Sequence, residues 1–403
     1  MNSVSNLFSV PREQWLSWTH LSLAARQSPQ AGSHAGAGEH FFFWARNALY
    51  HALQALDVPR GARVLLPAYL CRAAAEPFAA YGLQCDFYDL QRNCTADFSE
   101  IEAQLRSETR ILLAVHYFGF PHKIREFEEF CRHKNLLLFE DCAHVLRTEE
   151  QGKMLGTFGD ASVFSYRKFL PMFDGAELMF SPMKQMKWHP EHSRFNSQAA
   201  KFVVSQAINS SASPVAKILL RAIEARRRGR DTKATAPPDT AAWGQRVDNN
   251  SASFDPSLLN QPITTASRWI LRHLDVAAIA RRRRAIFLFL QKNLLDVSGV
   301  TPLFGELPEG VCPWVYPLFI DGVPNAHLLL RDLGLPAVTW GGVRVQGISG
   351  REFPGANFLY DNLVFLPVHQ NLSEDHLRTI VNAVVKVASE TRKREPPGIR
   401  STN

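Results

Sequence analysis

The sequence has no paired cysteines, no long apolar run and no apolar leader at its start. Its six cysteines stand singly, which argues against a zinc or redox pair and favours reduced, buried thiols. No stretch approaches the roughly 20 apolar residues of a membrane-spanning helix. The polar start, with Arg12 and Glu13, does not resemble a secretory signal, so we expect a cytoplasmic protein.

The balance of charge excludes a largely disordered chain, although the net charge is +7 over 403 residues. Residues 217–233 hold seven basic and two acidic side chains, and residues 391–403 hold four basic and one acidic. The rest of the chain is therefore nearly neutral. An apolar stripe precedes the arginines in 214–233, which would suit peripheral contact with an anionic membrane, but a surface helix packed on its own domain is the favoured alternative. No motif indicates nucleic-acid binding.

Short apolar runs alternate with helix-like stretches from about residue 44 to 180, which predicts an α/β domain with a largely parallel, doubly wound sheet. The predicted strands are Arg63–Leu66, Cys85–Tyr88, Ile111–Val115, Leu136–Phe139, Ala161–Phe164 and Glu177–Phe180. The predicted helices are Asn47–Leu56, one opened by a capping box at Ser99, Ile124–His133, one long helix from Thr264 through Arg284, Ala326–Leu333, and one opened by Ser373.

These patterns divide the chain into an N-terminal segment (1–40), a large domain (41–265), a smaller C-terminal α+β domain (266–390) and a disordered tail (391–403). The large domain carries a basic insertion at about 181–260. Within that insertion His189 and His192 lack a third ligand, so no metal site is predicted.

Two strand ends carry the candidate chemistry. Asp141 ends one apolar run, with His144 just beyond it, and Ser165 ends the next, with Lys168 three residues later. Ligands of open α/β sheets bind at this edge, although Asp141 could instead cap a helix and Lys168 could be a solvated loop residue. Together they suggest pyridoxal phosphate chemistry, in which an amine forms a Schiff base with the aldehyde and a carboxylate keeps the pyridine nitrogen protonated.

Several motifs in order resemble the DegT/StrS family of pyridoxal-phosphate-dependent sugar aminotransferases, of the aspartate aminotransferase superfamily. The resemblance runs from about Phe43 to Val387, interrupted by 181–260. The motifs are Asn47–Leu56, Val64–Tyr69, Val115–Pro121, Glu140–His144, Gly156–Lys168 and Leu366–His369. The resemblance implies the fold type I architecture, a large domain plus a smaller C-terminal one, and a homodimer with shared active sites.

The resemblance also implies roles for particular residues. Lys168 would form the Schiff base, Asp141 would pair with the pyridine nitrogen, and His144 would lie beside the phenolic oxygen. The phosphate would be bound by Ser165, by Arg46 and Asn47 at the start of the first helix, and by Asn260 of the neighbouring subunit. A helix N-terminus suits this anion for an independent reason, because its N–H groups point outward.

The sequence departs from the family pattern around the lysine and the ring. Lys168 follows Ser165 by three residues instead of five, and Cys71 stands where a ring-stacking aromatic is expected, leaving Tyr69 or His144 as substitutes. The family has a double glycine after the lysine, and the equivalent stretch here is Asp174-Gly175-Ala176. Trp340 is expected either in a loop over the substrate or in a plain turn.

The expected activity is transfer of an amino group, from glutamate, to a keto-sugar on a nucleotide or lipid carrier, in the assembly of a surface polysaccharide or glycolipid. Proton transfer by Lys168 would require a lowered pKa, which burial and Arg167 could provide. One alternative is a pyridoxal- or pyridoxamine-phosphate-dependent sugar dehydratase, although related dehydratases carry histidine in place of the lysine. Another is a catalytically degenerate homologue that acts as a binding or scaffold protein.

Overall fold

A seven-stranded sheet organises the N-terminal half of the chain. The computed structural model describes residues 10, 11, 14, 40–181, 196, 199, 201–202, 254–323, 325–340, 344–345 and 351–392. The strands of this sheet are β1 (His40–Phe42), β2 (Arg63–Pro67), β3 (Gln84–Tyr88), β4 (Thr109–Val115), β5 (Leu137–Cys142), β8 (Ala161–Ser165) and β9 (Ala176–Phe180). A separate hairpin is formed by β6 (Glu149–Glu150) and β7 (Lys153–Met154).

The strand order in this sheet is β1-β9-β8-β5-β4-β2-β3. The run from β8 to β3 is parallel, whereas β9 is antiparallel to both of its neighbours. The predicted α/β class with a mostly parallel sheet is therefore confirmed. Each predicted apolar run corresponds to a strand. Helices cover the sheet faces and bury most of these residues whichever way they point, whereas Cys85 to Phe87 of the edge strand β3 are only partly buried.

The structure contradicts two of the predictions about helices. The helices are α1 (Ala45–Ala55), α2 (Arg72–Tyr81), α3 (Phe98–Gln104), α4 (Ile124–Lys134), α5 (Thr265–His273), α6 (Val276–Leu294), α7 (Ala326–Asp332), α8 (Pro354–Asn362) and α9 (Glu374–Arg392). The capping box at Ser99 was wrong, because Asp97 caps α3 by accepting the Ser99 N–H at 2.9 Å. The long helix predicted from Thr264 was also wrong, because Leu274 adopts an extended conformation (ψ 136°) and Asp275 then caps α6.

The C-terminal part forms a second, smaller sheet. Strands β10 (Val300–Pro302), β11 (Val315–Ile320) and β12 (Val364–Pro367) pair antiparallel in that order. Helix α6 packs against β10 and β11, and α9 packs against α6 and α7. This arrangement has the α+β character expected of the C-terminal region, while the predicted domain boundaries stay predictions.

Several predicted features lie outside the described residues: the basic stretch 214–233, His189 and His192, and the tail from residue 393 onward. Among the helices that are described, none is long and apolar enough to cross a membrane. The six cysteines are unpaired, with Cys71 and Cys85 partly exposed and the others buried, as expected for reduced thiols.

Candidate active site

A pocket opens at the carboxyl edge of the parallel strands. Its walls come from Val115 of β4, Asp141 of β5, and Val163 and Ser165 of β8. The start of α1, the segment 70–74 at the start of α2, and Trp340 close its other sides. The sheet therefore brings strand ends that are far apart in sequence to one cavity, where α/β folds bind ligands.

Asp141 lies in β5, paired in register with Val115 on one side and Val163 on the other. One carboxylate oxygen accepts the Ala143 N–H at 2.8 Å, so Asp141 caps a turn and no helix begins there. Burial raises the pKa of this carboxyl group, while Lys168 and the Ala143 N–H lower it. The Asp141 carboxylate thus interacts with the charge of Lys168 in the same pocket.

Glu140 precedes Asp141 and points to the opposite face, since side chains alternate along a strand. It accepts hydrogen bonds from the N–H groups of Gly156, Phe158 and Gly159 and from Nε2 of His116 at 2.9 Å. Cys142 lies near this pair, and the three side chains could in principle hold a metal ion. Because both oxygens of Glu140 already accept two bonds each, we assign it a structural role.

Lys168 ends a short 3-10 turn, Tyr166–Lys168, that follows β8 directly. Its side chain keeps some exposure to the pocket, but desolvation lowers its pKa from 10.5 to about 8. Asp141 and Cys71 oppose this shift, whereas the neighbouring Arg167 adds to it. The expected contributions of burial and Arg167 are both present. About a tenth of Lys168 is therefore an uncharged amine at pH 7, far more than for a solvated lysine.

His144 packs against aromatic rings beside the lysine. Its ring stacks on Trp314 at 4.0 Å between centroids and lies nearly parallel to Phe118 at 6.0 Å. Burial lowers its pKa well below 6.5, so the ring is neutral. Nδ1 accepts the Phe118 N–H at 3.4 Å, which places the proton on Nε2. Nε2 is buried and has no hydrogen-bond partner among the described residues, so it can donate to a ligand.

Positive charge and a helix N-terminus meet at another part of the pocket. Helix α1 starts at Ala45 with Trp44 as its N-cap, and among the residues that the structure describes no side chain caps it. The Arg46 guanidinium lies 4.6 Å from the Trp44 ring centre and 3.5 Å from a Glu76 carboxylate oxygen. Arg46 and Ser165 both line the pocket. This combination suits a phosphate group.

Three predicted site residues, Asn47, Tyr69 and Asn260, do not line the pocket. The Asn47 side chain is buried and donates to the Leu258 carbonyl oxygen at 2.5 Å. Tyr69 is fully buried against Trp340 and Tyr360, at 5.0 and 4.7 Å between ring centroids, and does not line the pocket.

Asn260 lies in an exposed turn and hydrogen-bonds the His51 ring on α1. It does not line this pocket.

No role was predicted from the sequence for two residues, Trp314 and Asp174. Trp314 precedes β11, and its ring centre lies 5.2 Å from the Lys168 side-chain nitrogen. Asp174 is fully buried and accepts bonds from the Thr264 N–H and hydroxyl, both at 2.7 Å, and from the Ser267 hydroxyl, which fixes the start of α5. The departure of the stretch Asp174-Gly175-Ala176 from the family's double glycine was the available signal for Asp174, whereas nothing local marked Trp314.

The fold is shared with solved aminotransferase structures. The chain superposes on the aminotransferase TlmJ from Streptoalloteichus hindustanus with a TM-score of 0.62 and 20% identity, covering 95% of this chain and 100% of that one. It superposes on a putative sugar aminotransferase from Streptococcus pneumoniae, solved in its PLP form, with a TM-score of 0.64 and 14% identity, covering 95% and 99%. At these identities the likeness shows the fold, and the predicted fold class is confirmed.

The sequence match is narrower. Residues 45–180 match the model of the DegT/DnrJ/EryC1/StrS aminotransferase family, which confirms the predicted resemblance over that segment. The chain is 32% identical over 120 residues to GDP-perosamine synthase of Escherichia coli O157:H7, covering 30% of this chain and 33% of that protein. It is 33% identical over 131 residues to dTDP-4-dehydro-2,3,6-trideoxy-D-glucose 4-aminotransferase of Saccharopolyspora spinosa, covering 32% and 34%. The matches therefore span about a third of these relatives.

Proposed function

We propose that this protein is a pyridoxal-phosphate-dependent aminotransferase that acts on a keto-sugar. The observation that carries the proposal is the meeting of Lys168 and Asp141 in one pocket, with the lysine pKa lowered to about 8. A lysine poised near neutral pH beside a buried carboxylate suits an amine that attacks an aldehyde and then carries a proton.

The pocket residues fit the chemical groups of pyridoxal phosphate. The buried Nε2 of His144, which lacks a partner among the described residues, is a donor for an oxygen of the ring. Arg46, Ser165 and the uncapped start of α1 form a site for the phosphate. Asp141 is the acceptor for a protonated ring nitrogen. When bound, the cofactor supplies an aldehyde carbon and an electron-accepting ring.

Each pocket residue has its own role in the proposed reaction. Uncharged Lys168 is the nucleophile and afterwards moves the proton at the substrate carbon, first as base and then as acid. Asp141 keeps the ring nitrogen protonated through its negative charge. His144 orients the ring through Nε2, and Trp314 fixes the imidazole by stacking at 4.0 Å. Arg46 binds phosphate through a charged fork that lysine could not reproduce.

The substrate class comes from the relatives. The names of two of them specify a GDP-sugar product and a dTDP-keto-sugar substrate. We therefore propose a keto-sugar on a nucleotide carrier as the acceptor and glutamate as the donor, in the assembly of a surface polysaccharide or glycolipid. Arg167 of the pocket wall adds positive charge where the donor carboxylate or the sugar carrier could bind. A homodimer in which the exposed Asn260 reaches the partner's phosphate site belongs to the same proposal.

The test begins with the full-length protein and added pyridoxal phosphate. The wild-type protein should turn yellow, lose that colour on borohydride reduction and carry the cofactor on the peptide that contains Lys168. Lys168→Ala should bind the cofactor without covalent attachment, whereas Lys153→Ala, a partly exposed lysine on β7, should behave as wild type. If the wild type attaches no cofactor covalently, the proposed aminotransferase activity is refuted and a binding role is favoured.

The reaction itself is followed with glutamate and a nucleotide-linked keto-sugar. Formation of an amino-sugar together with 2-oxoglutarate in equal amounts supports the proposal. Consumption of the sugar without transfer of nitrogen would identify a dehydratase instead.

A further inference from the structure

The turn that carries Lys168 is held from outside the pocket. Its internal bonds run from the N–H groups of Phe169 and Leu170 to the Tyr166 carbonyl oxygen, at 2.9 and 2.8 Å. The carbonyl oxygens of Arg167, Phe169 and Leu170 accept bonds from side chains that lie more than 100 residues away in the sequence, and that of Leu170 also accepts the Met172 N–H at 2.7 Å. The shortened lysine turn therefore depends on distant donors for its shape.

The first donor is Gln14, from the N-terminal segment. Its amide nitrogen donates to the carbonyl oxygens of Arg167 and Leu170, both at 3.2 Å, on either side of Lys168. The segment is anchored nearby, because Nε2 of His369 donates to the Pro11 carbonyl oxygen at 3.0 Å. A single side chain thus bridges the two ends of the turn.

The second and third donors, Arg283 of α6 and Gln370 beyond β12, converge on Phe169. The Arg283 guanidinium and the Gln370 amide both donate to the Phe169 carbonyl oxygen at 3.2 Å. Arg283 also donates to the Trp314 carbonyl oxygen at 3.1 Å and to the Gln370 side-chain oxygen at 3.2 Å. Arg283 is fully buried, so these hydrogen bonds replace the water that would otherwise solvate its charge.

Arg283 therefore joins the residue after Lys168 to the tryptophan against which the lysine nitrogen lies. A planar guanidinium can reach both carbonyl groups at once, which an ammonium group cannot do in the same geometry. All three donors lie outside residues 45–180, the segment that matches the family model.

We propose that Gln14, Arg283 and Gln370 are positioning residues that hold the Lys168 turn in the pocket and keep the lysine amine desolvated. This inference rests on the proposed role of Lys168 as the reactive amine. Loss of Gln14 frees the Arg167 carbonyl to seek water, and loss of Arg283 or Gln370 removes one of the two donors to the Phe169 carbonyl, so the turn moves toward solvent. Lys168 then gains hydration, and its pKa rises from about 8 toward 10.5.

The experiment measures Lys168 in the cofactor-free, full-length protein, so its readout does not depend on catalysis. The protein is labelled with acetic anhydride from about pH 6 to about pH 11, and the Lys168 peptide is quantified by mass spectrometry against the exposed Lys292. The wild-type profile should have its midpoint near pH 8. In Gln14→Met, Arg283→Met and Gln370→Met, labelling at pH 8 should fall about threefold or more, because the midpoint moves up.

Gln291 on α6 offers a matched control. Its amide donates to the carbonyl oxygens of Phe304 and Gly305, at 3.2 and 2.7 Å, as Gln14 does at the lysine turn. Gln291→Met should leave the Lys168 profile unchanged. If Arg283→Met fails to fold, Gln14→Met still tests the proposal. Gln14 is only partly buried, so its replacement should leave the protein folded.

The proposal is overturned if folded Gln14→Met and Gln370→Met keep the wild-type profile, or if Gln291→Met shifts it equally. These outcomes are separate from the proposed function. Shifted midpoints in a protein that never attaches pyridoxal phosphate would refute the aminotransferase and leave the positioning intact. Covalent attachment at Lys168 with unshifted midpoints would refute the positioning alone.

Discussion

The side-chain nitrogen of Lys168 lies 5.2 Å from the centre of the Trp314 ring, and that ring stacks on His144 at 4.0 Å. An aromatic face attracts a cation, so Trp314 stabilises the charged form of the lysine while burial destabilises it. Strand β11, which follows Trp314, belongs to the second sheet, whereas Lys168 follows a strand of the first. The protonation state of Lys168 therefore depends on contact between these two parts of the chain.

Replacing Trp314 tests this contact. In Trp314→Leu the attraction is lost, so the pKa of Lys168 should fall below about 8. Labelling of Lys168 at pH 7 should rise about two- to fivefold, as expected for a cation–π contact of about 0.5–1 kcal/mol. Trp269→Leu, at an exposed tryptophan on α5, is the control and should show no change. An unchanged or raised pKa in Trp314→Leu would contradict the interaction.

Asp141 should act on both the lysine and the reaction. Because Asp141 raises the pKa of Lys168, Asp141→Asn should lower that pKa further and shift the labelling profile to lower pH. The same variant should lose about 10²–10⁴-fold in amino transfer, since its amide cannot hold the ring nitrogen protonated. Asp97→Asn, at the exposed cap of α3, should retain activity and profile. Full activity of Asp141→Asn would remove this residue from the mechanism.

Lys168 should also destabilise the fold, in a pH-dependent way. Its pKa is about 8 in the folded protein and 10.5 when solvated, so the unfolded chain binds more protons between these values. Wild-type stability should therefore rise as the pH increases from 8 to 10.5, while below pH 8 the cost of the buried charge is present in full. Lys168→Met should raise the free energy of unfolding at pH 7 by about 2 kcal/mol, reduced for the partial exposure of the side chain.

Urea denaturation of wild type and Lys168→Met at several pH values checks this prediction. The difference between them should narrow as the pH rises above 8. A difference that stays constant with pH would show that the substitution acts through packing instead of charge. Lys292→Met, at an exposed lysine, serves as the control and should give a small difference at every pH.

Asp174 is expected to contribute to stability more than to catalysis. Asp174→Ala leaves the Thr264 N–H and the Ser267 hydroxyl without their buried acceptor, so the free energy of unfolding should fall by about 1–3 kcal/mol. Asp255→Ala removes a comparable but exposed cap and should cost less than about 1 kcal/mol. Equal losses in the two variants, measured by denaturant unfolding, would contradict the importance of burial at Asp174.

The local sequence predicted the strands well because most are apolar runs between polar turns, with single acidic residues inside β3 (Asp86) and β9 (Glu177). β2, β3, β4, β8 and β9 all begin within two residues of their predicted starts and end within one of their predicted ends. The break between α5 and α6 was missed because the apolar spacing continues across it. Leu274 is buried and fits a helical stripe, and only its backbone conformation shows that the helix ends.

The sequence by itself determined which residues stand at the strand ends, and so brought Asp141, Ser165 and Lys168 to one edge of the sheet. Local periodicity places these residues at strand ends, and the ends of parallel strands meet at one edge of a sheet. Tertiary structure alone decided that Trp314, Arg283 and Gln14 surround the lysine turn. Contacts across such sequence distances, and the desolvation that lowers the Lys168 pKa, arise only when separate elements pack together.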